Sequence, residues 1–283
     1  MQLQKVDEQI YALVGPFGNR SPENFGNNST SGFVITNDGV VLIDSGGSYK
    51  GAELIAGLIA RVTDQPIRLV INSGGQDHRW LGNDYFRQRG ARIITSQAAL
   101  QDQRARTNDQ FLRLTKLVGE QGLQGTEAVY ADETFRGRLN IEHGGVAFEL
   151  LEVGPAHTQG DLLVWLPQKR LVFAGDVVFV GRMLGVRDYS NSKSWIEAFE
   201  RLEGLDPQWI IPGHGPVTDL SGALADSRDY LAFLREQVGA FMQEGGDISQ
   251  VGSLDQTAFS YLHSYDLLKG GNAQQVFQEM EWE

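Results

Sequence analysis

The chain has 283 residues, no cysteine and a formal net charge of -12 at pH 7. The lack of cysteine excludes disulfides and thiolate metal ligands. The acidic balance argues against a broad nucleic-acid surface, because phosphate binding needs clustered Lys and Arg. Apolar residues make up 41% of the chain, and no Pro/Ser-rich linker divides it. We therefore expect one domain over residues 1–283, with C-terminal helices, about 217–283, packing on a sheet.

In the first half of the chain, apolar runs alternate with turn signals. Asn37-Asp38-Gly39 joins two apolar runs as a hairpin turn. A Gly/Asn/Ser-rich segment, 18–31, is interpreted either as a loop over a crevice or as a plain surface hairpin. The predicted strands cover 9–15, 31–36, 39–43 and 92–95, and the predicted helices cover 49–62, 83–89 and 96–118.

The second half repeats this alternation. We expect strands 134–135 and 139–141 to lead into the sheet that contains strand 146–153. Segment 177–191 has no helical period and would border a crevice, where Arg182 or Arg187 would bind a substrate carboxylate or sulfate; salt bridges to protein acids are equally open. Further strands are predicted at 162–166, 171–174 and 209–211, and helices at 194–202, 217–245 and 273–280.

Aspartate and histidine recur in glycine-flanked loops that directly follow predicted strands. Asp77 and His78 come after the strand that closes at Ile71, and the same pattern places His157, Asp176 and His214 at three other strand ends. These loops converge if the strands lie side by side. Glycine lets the backbone approach an ion closely, and imidazole with carboxylate is a ligand set suited to zinc or iron.

With these motifs the chain resembles the metallo-β-lactamase-fold hydrolase superfamily. The similar stretches are Val41-Leu42-Ile43-Asp44-Ser45-Gly46, the Gly-Pro-Ala-His-Thr-Gln-Gly-Asp run at 154–161, Gly175-Asp176, and Pro212-Gly213-His214-Gly215. Within the superfamily, 173–182 and 272–281 are most similar to the branch associated with sulfur oxidation and quinoprotein relay. The resemblance implies an α/β fold, a four-layer αββα sandwich with helices outside two packed sheets, and it assigns to Asp44 the bracing of the metal loop.

The central motif of the family is degenerate in this chain. The family pattern is His-x-His-x-Asp-His, and counting back from Asp77-His78 places Ser73 and Gly75 at the first two histidines; the other register places Gly74 at the first.

The resemblance also implies which metal ligands remain. One of the family's two metal sites survives here as Asp77, His78, Asp176 and His214, whereas the other keeps only His157. We expect at most one well-held ion, zinc or alternatively iron.

The resulting hypothesis is a metal-dependent hydrolase that acts on a small ester, lactone, thioester or related substrate with a water at a mononuclear site. Asp77 and His157 are the candidate catalytic residues. His157 would steady a developing oxyanion or donate a proton to the leaving group. The alternative is a non-catalytic, metal-poor pseudo-enzyme that acts as a binding module for a small molecule or a protein.

The expected partner is a small-molecule substrate, with no nucleic acid and no membrane, and the sequence leaves a homodimer open. No apolar stretch approaches the ~18 residues of a membrane-spanning helix. The first residues lack the apolar core of a signal peptide. We therefore expect a cytoplasmic protein, or a periplasmic one if a leader was removed.

Overall fold

The computed structural model describes residues 1–283 and contains two β-sheets packed face to face with helices on both outer sides. This confirms the predicted α/β fold and its αββα layers. The first sheet runs in chain order through seven strands: β1 (Gln2–Lys5), β2 (Ile10–Val14), β3 (Ser31–Thr36), β4 (Gly39–Ile43), β5 (Ile67–Ile71), β6 (Arg92–Ser96) and β7 (Glu133–Phe135). The second has five strands: β8 (Arg138–His143), β9 (Val146–Glu152), β10 (Leu162–Leu166), β11 (Leu171–Phe179) and β12 (Trp209–His214).

The helices form the two outer layers. They are α1 (Tyr49–Ala60), α2 (Asp77–Trp80), α3 (Asn83–Arg87), α4 (Gln97–Leu123), α5 (Ser192–Gly204), α6 (Leu220–Ala223), α7 (Asp229–Gln243), α8 (Ile248–Val251) and α9 (Tyr265–Met280). Ser96, the first residue of the helix predicted at 96–118, caps α4: its side chain accepts a hydrogen bond from the Ala99 amide. None of the helices combines the length and the apolar character needed to cross a membrane.

Of four apolar clusters, the three largest hold the layers together. The central one lies between the sheets and joins residues of both, such as Ile71 of β5, Phe173 of β11 and Ile211 of β12. A second packs α1 and α3 on the first sheet, and a third packs α5, α7 and α9 on the second. The sheets therefore form a rigid base, and the loops at one edge of it carry the candidate site.

Parallel pairing decides where those loops meet. Strand β5 runs parallel to β4 and β6, and β11 runs parallel to β12. Parallel neighbours bring their carboxyl ends to the same edge of a sheet. The loops after β4 and β5 and the ends of β11 and β12 lie at one edge of the sandwich, where Thr30 donates its amide to the Gly213 carbonyl across the two sheets.

Several predicted boundaries were wrong. Strand β11 does not end at residue 174 but continues to Phe179, because Gly175 adopts a positive φ of 51° and a bulge shifts the register without breaking the pairing. Strand β12 likewise includes His214. The predicted strand at 134–135 lies in the first sheet, where β7 pairs with β6, and not beside β8. The long helix predicted at 217–245 is divided into α6, a π-helical turn (Leu224–Arg228) and α7.

Candidate metal site

Three side chains that are far apart in the sequence converge at this edge of the sandwich. His78 lies in the first turn of α2 just after β5, Asp176 lies in the bulge of β11, and His214 is the last residue of β12. All three are buried, and one ligand atom from each lies within 4.8 Å of the others. Prediction from sequence placed these residues in one site, and the fold brings them together.

The spacing of these atoms fits a metal ion. His78 Nε2 lies 3.0 Å from Asp176 Oδ2, and His214 Nε2 lies 3.4 Å from Asp176 Oδ1. Ligands about 2.1 Å from a tetrahedral ion are separated from each other by roughly 3.4 Å. The donor set of two imidazoles and one carboxylate also suits zinc or iron. The residues present therefore fit a single ion.

The imidazoles are neutral and held in place. Burial lowers the pKa of His214 to about 3 and that of His78 well below its ordinary value. His214 Nδ1 lies 3.1 Å from the Asn28 carbonyl, to which it can donate while Nε2 presents its lone pair to an ion. The Phe179 ring stacks on His214 with 4.6 Å between centroids and fixes the plane of the imidazole.

Arg79 is the central residue that sequence reasoning missed. Its side chain is fully buried and donates to both oxygens of Asp176, at 2.6 and 3.1 Å, and to Asp44 Oδ2 at 2.8 Å. Two further bonds go to the carbonyls of Thr30 (2.9 Å) and Gly213 (3.0 Å). All five N–H groups of the guanidinium are thus used. No motif signals this role, because the partners lie 35 to 134 residues away in the sequence.

Pairing with Arg79 sets the ionisation of Asp176. Burial alone would raise the pKa of Asp176, but the Arg79 guanidinium and His78 hold it well below the usual range. Asp176 is therefore a carboxylate that can both accept from Arg79 and ligate an ion, since an ionised carboxylate has about four lone-pair sites.

Asp77 and His157 lie in the same site but outside the three-ligand cluster. Asp77 Oδ1 accepts from Arg20 Nη2 at 2.5 Å, and its Oδ2 is buried without a hydrogen-bond partner. His157 packs against the Trp195 ring with 5.2 Å between centroids, and its Nδ1 is also buried without a partner. Burial lowers the pKa of His157 to about 3. Each therefore offers an unused acceptor or donor atom close to the ligands.

Arg20 opposes metal binding by His78. Its Nη2 lies 2.6 Å from His78 Nδ1, so Nδ1 accepts and the ring proton of the neutral imidazole sits on Nε2, which donates to Asp176. An ion at Nε2 would need the lone pair of that atom, so the ring proton would have to move to Nδ1. The Nδ1–H group and the Arg20 Nη2–H group would then be two donors facing each other without an acceptor. Metal binding through Nε2 therefore requires Arg20 to withdraw. The segment 18–31, predicted as a loop over the crevice or as a surface hairpin, carries Arg20 and has no strand before β3.

The positions of the missing family histidines are filled differently. The Ser73 amide and hydroxyl donate to Asp44, at 2.7 and 2.9 Å, so Asp44 braces the loop as the resemblance implied. Gly74 has a carboxylate oxygen of Asp161 2.6 Å from where its Cβ would stand, and a Cβ at Gly75 would overlap the Asp102 carboxylate of α4. Helix α4 also fixes the loop from behind: Gln103 and Gln110 donate to the Gly74 and Gly75 carbonyls.

Residues 25–214 match the family model described as the metallo-β-lactamase superfamily. The chain belongs to this superfamily. Its members are generally metal-dependent hydrolases, which supports an enzymatic role. The finer assignment to the sulfur-oxidation branch stays a prediction.

Solved structures and curated proteins show the same likeness. A metallo-β-lactamase from Pontibacter korlensis has a TM-score of 0.64 and 23% identity, covering 82% of this chain and 98% of that one. A stereoselective inverting sec-alkylsulfatase from Pseudomonas sp. has a TM-score of 0.75 and 17% identity, covering 98% of this chain but 49% of that one. The alpha subunit of 2,4-dinitroanisole O-demethylase from Nocardioides sp. is 35% identical over 85 residues, 30% of this chain and 26% of that protein.

A cavity of about 260 Å³ opens onto the metallo-β-lactamase-type site. Its wall contains His78, His157 and His214, so the ligand cluster and His157 face the same space. The remaining lining is rich in arginine and includes a short apolar side: Arg20, Arg113, Arg182, Arg187, Phe179, Leu267 and Leu268. The cavity is strongly cationic although the whole protein is acidic.

We expect acid to destabilise the metal-free protein. His78, His157 and His214 remain neutral in the fold, because burial depresses the pKa of each, and protonate below about pH 6.5 on unfolding. Stability from a depressed histidine is present above the unfolded pKa and is lost as pH falls, by about 1.4 kcal/mol per pH unit for each group. Asp161 opposes this, since burial raises its pKa to about 7. The net loss from pH 7 to 5 should be about 3 kcal/mol.

Denaturant unfolding in chelator at pH 7 and pH 5 measures this loss. A His157→Gln variant should reduce the difference by about 2 kcal/mol, the share of one histidine. Replacing the exposed His263 by glutamine provides the control. An unfolding free energy that stays constant or increases towards pH 5 would contradict neutral buried imidazoles.

Proposed function

We propose that the protein is a metal-dependent hydrolase with one ion held by His78, Asp176 and His214, acting on a small ester, lactone, thioester or sulfate ester. The observation that carries this proposal is that one ligand atom from each of these three buried side chains lies within 4.8 Å of the others, beside a cavity whose wall contains both histidines. A zinc or iron ion bound there supplies a water nucleophile at neutral pH and a Lewis acid for the scissile group.

The protein's own side chains complete the reaction. Asp77 would be the general base, since its Oδ2 is buried without a hydrogen-bond partner and is free to accept a proton. His157 faces the same cavity with a neutral imidazole, and its free Nδ1 can hydrogen-bond the developing oxyanion or the leaving group. Burial of both groups excludes bulk water from them, which strengthens each interaction.

A second candidate, a metal-poor binding module, is favoured by a specific observation. Arg20 and Arg79 already neutralise the two carboxylates of the site, Asp77 and Asp176. Guanidinium groups would then supply the charge that metal ions supply in relatives. In this case the cavity binds its ligand without chemistry.

Metal content separates the two candidates. Elemental analysis of protein purified without chelator or affinity-tag histidines should give about one zinc or iron ion per chain. The ion should be absent from His78→Ala and His214→Ala and retained in His143→Ala, a histidine on β8 that contacts Thr36 and lies outside the site. Hydrolysis of an ester, lactone and alkyl sulfate panel should stop on chelation and return with the metal.

Two ions per chain would refute the single-site arrangement. No ion, even after zinc is added back, together with no hydrolysis, would leave the binding module as the function.

A further inference from the structure

Three of the four cavity arginines have no acidic partner, and two of these, Arg182 and Arg187, are largely removed from solvent. Arg182 is 9% exposed and Arg187 is half-buried, and neither side chain forms a salt bridge. The Nε atom of Arg182 is buried and has no hydrogen-bond partner, while its Nη1 lies 3.3 Å from His214 Nδ1. An unpaired buried cation is costly, and such groups persist where they serve a ligand.

The electrostatic surroundings make this cost larger. Burial, together with the neighbouring Arg20 and Arg187 cations, lowers the pKa of Arg182 to about 10, so the group remains a cation at neutral pH. Burial and the Arg113 and Arg20 cations also lower the pKa of Arg187. Of the cavity arginines, only Arg20 has an acidic partner, Asp77. No carboxylate lines the cavity beside Arg182 and Arg187, although Asp176 and Asp188 offset part of the repulsion from outside the wall.

We propose that this cavity binds a small organic oxyanion, a sulfonate, sulfate monoester or carboxylate, with its charged end on Arg182 and Arg187 and its short apolar part against Phe179 and Leu268. The guanidinium fork matches two oxygens of such a group. At about 260 Å³ the space is below that of drug-sized pockets and suits a ligand of a few carbon atoms. Leu267, 66% exposed at the cavity, extends the apolar side.

This inference deepens the proposed function, since it names the substrate class of the same cavity. It places the scissile bond of an anionic substrate beside the ligand cluster, because Arg182 contacts His214. It does not depend on the ion, because both arginines belong to the protein wall.

The probe is 1-butanesulfonate, which keeps the charge and has no ester bond to cleave, with pentanoate as the carboxylate and 1-butanol as the neutral analogue. Isothermal titration of the protein as isolated should show binding of one or both anions and none of the alcohol. Arg182→Gln and Arg187→Gln should each weaken binding by about 10- to 100-fold, the loss of a charged hydrogen-bond partner. Arg61→Gln provides the control, because Arg61 is exposed at the C-terminal end of α1, does not line the cavity and has no acidic partner.

A second readout does not depend on the ligand. Without added anion, Arg182→Gln should unfold at a higher temperature than the original protein, because it removes an unpaired buried charge. Low millimolar butanesulfonate should raise the unfolding temperature of the original protein and leave that of Arg182→Gln nearly unchanged.

The outcomes distinguish this inference from the proposed function. Equal anion affinity in both arginine variants and the original protein would overturn it, as would binding of butanol as tight as that of the anions. Anion binding that disappears on chelation but survives in Arg182→Gln would overturn it and leave the metal hydrolase standing. Anion binding through the arginines in protein that holds no metal would support it while the proposed function fails.

Discussion

Replacing Arg79 by alanine should lower the free energy of unfolding by about 3 to 5 kcal/mol, the cost of leaving buried partner charges without compensation. Asp44 and Asp176 would lose their counter-charge, and the Thr30 and Gly213 carbonyls would lose their donor. The free energy of unfolding of Arg79→Lys should lie between those of the original protein and Arg79→Ala, because an ammonium keeps the charge but cannot form the bidentate pair with Asp176. Denaturant unfolding in chelator measures these differences.

Two comparisons make the result specific to the buried network. Arg61→Gln, an exposed arginine, should change the free energy of unfolding by less than about 0.5 kcal/mol. Adding Asp176→Asn to Arg79→Ala should recover part of the loss, because it removes one of the uncompensated charges. If Arg79→Ala lowers the free energy of unfolding by less than about 1 kcal/mol, water must satisfy the two carboxylates. The hydrogen bonds of Arg79 would then not be what joins the sheets.

Replacing Arg20 by alanine should tighten zinc binding by about 10- to 100-fold, the size of effects that groups behind the ligands have on metal affinity. Without the guanidinium, His78 Nδ1 can carry the ring proton and Nε2 can present its lone pair. The charge of Asp77 is released at the same time. Competition against a zinc-binding dye measures the dissociation constant.

Arg113→Ala is the matched control for this prediction. It removes one positive charge from the same cavity wall, and Arg113 forms no hydrogen bond to Asp77 or His78. An equal tightening in both variants would assign the effect to overall charge rather than to the tautomer of His78. Weaker zinc binding in Arg20→Ala would show that Arg20 supports the ligands instead of competing with the ion.

Local signals predicted the elements well where the determinants were local. The hairpin of β3 and β4 was predicted because Asn37-Asp38-Gly39 encodes its own turn, and the structure confirms its boundaries. The predicted start of helix α4 agrees with its serine cap, but the predicted end at residue 118 was too early. The helix continues past Gly119 to Leu123 as two segments joined at this non-helical glycine. The prediction ended strand β11 too early, at Gly175. This glycine forms a bulge rather than a turn because β11 stays paired with β12, a partner that the local sequence does not reveal.

The site shows the same division. Histidine and aspartate at strand ends were visible in the sequence, because the residue types and the glycine-rich loops are local. Arg182 and Arg187 were candidates for binding an anion, but Arg79 and Arg20 were missed, since they acquire their roles only from partners brought by the fold, Asp176 and Asp77 among them. The sequence also could not predict that Arg182 is buried and unpaired, because the absence of a partner depends on the fold.

The crowding behind the loop at 73–76 has a consequence for engineering. Reinstating the two motif histidines alone would disturb this loop, because a side chain at Gly75 displaces the Asp102 carboxylate, which is paired with Arg106 on α4. A histidine at Ser73 would in turn remove the two hydrogen bonds that tie the loop to Asp44. Histidines at these positions therefore require accompanying changes in a helix and at a strand end.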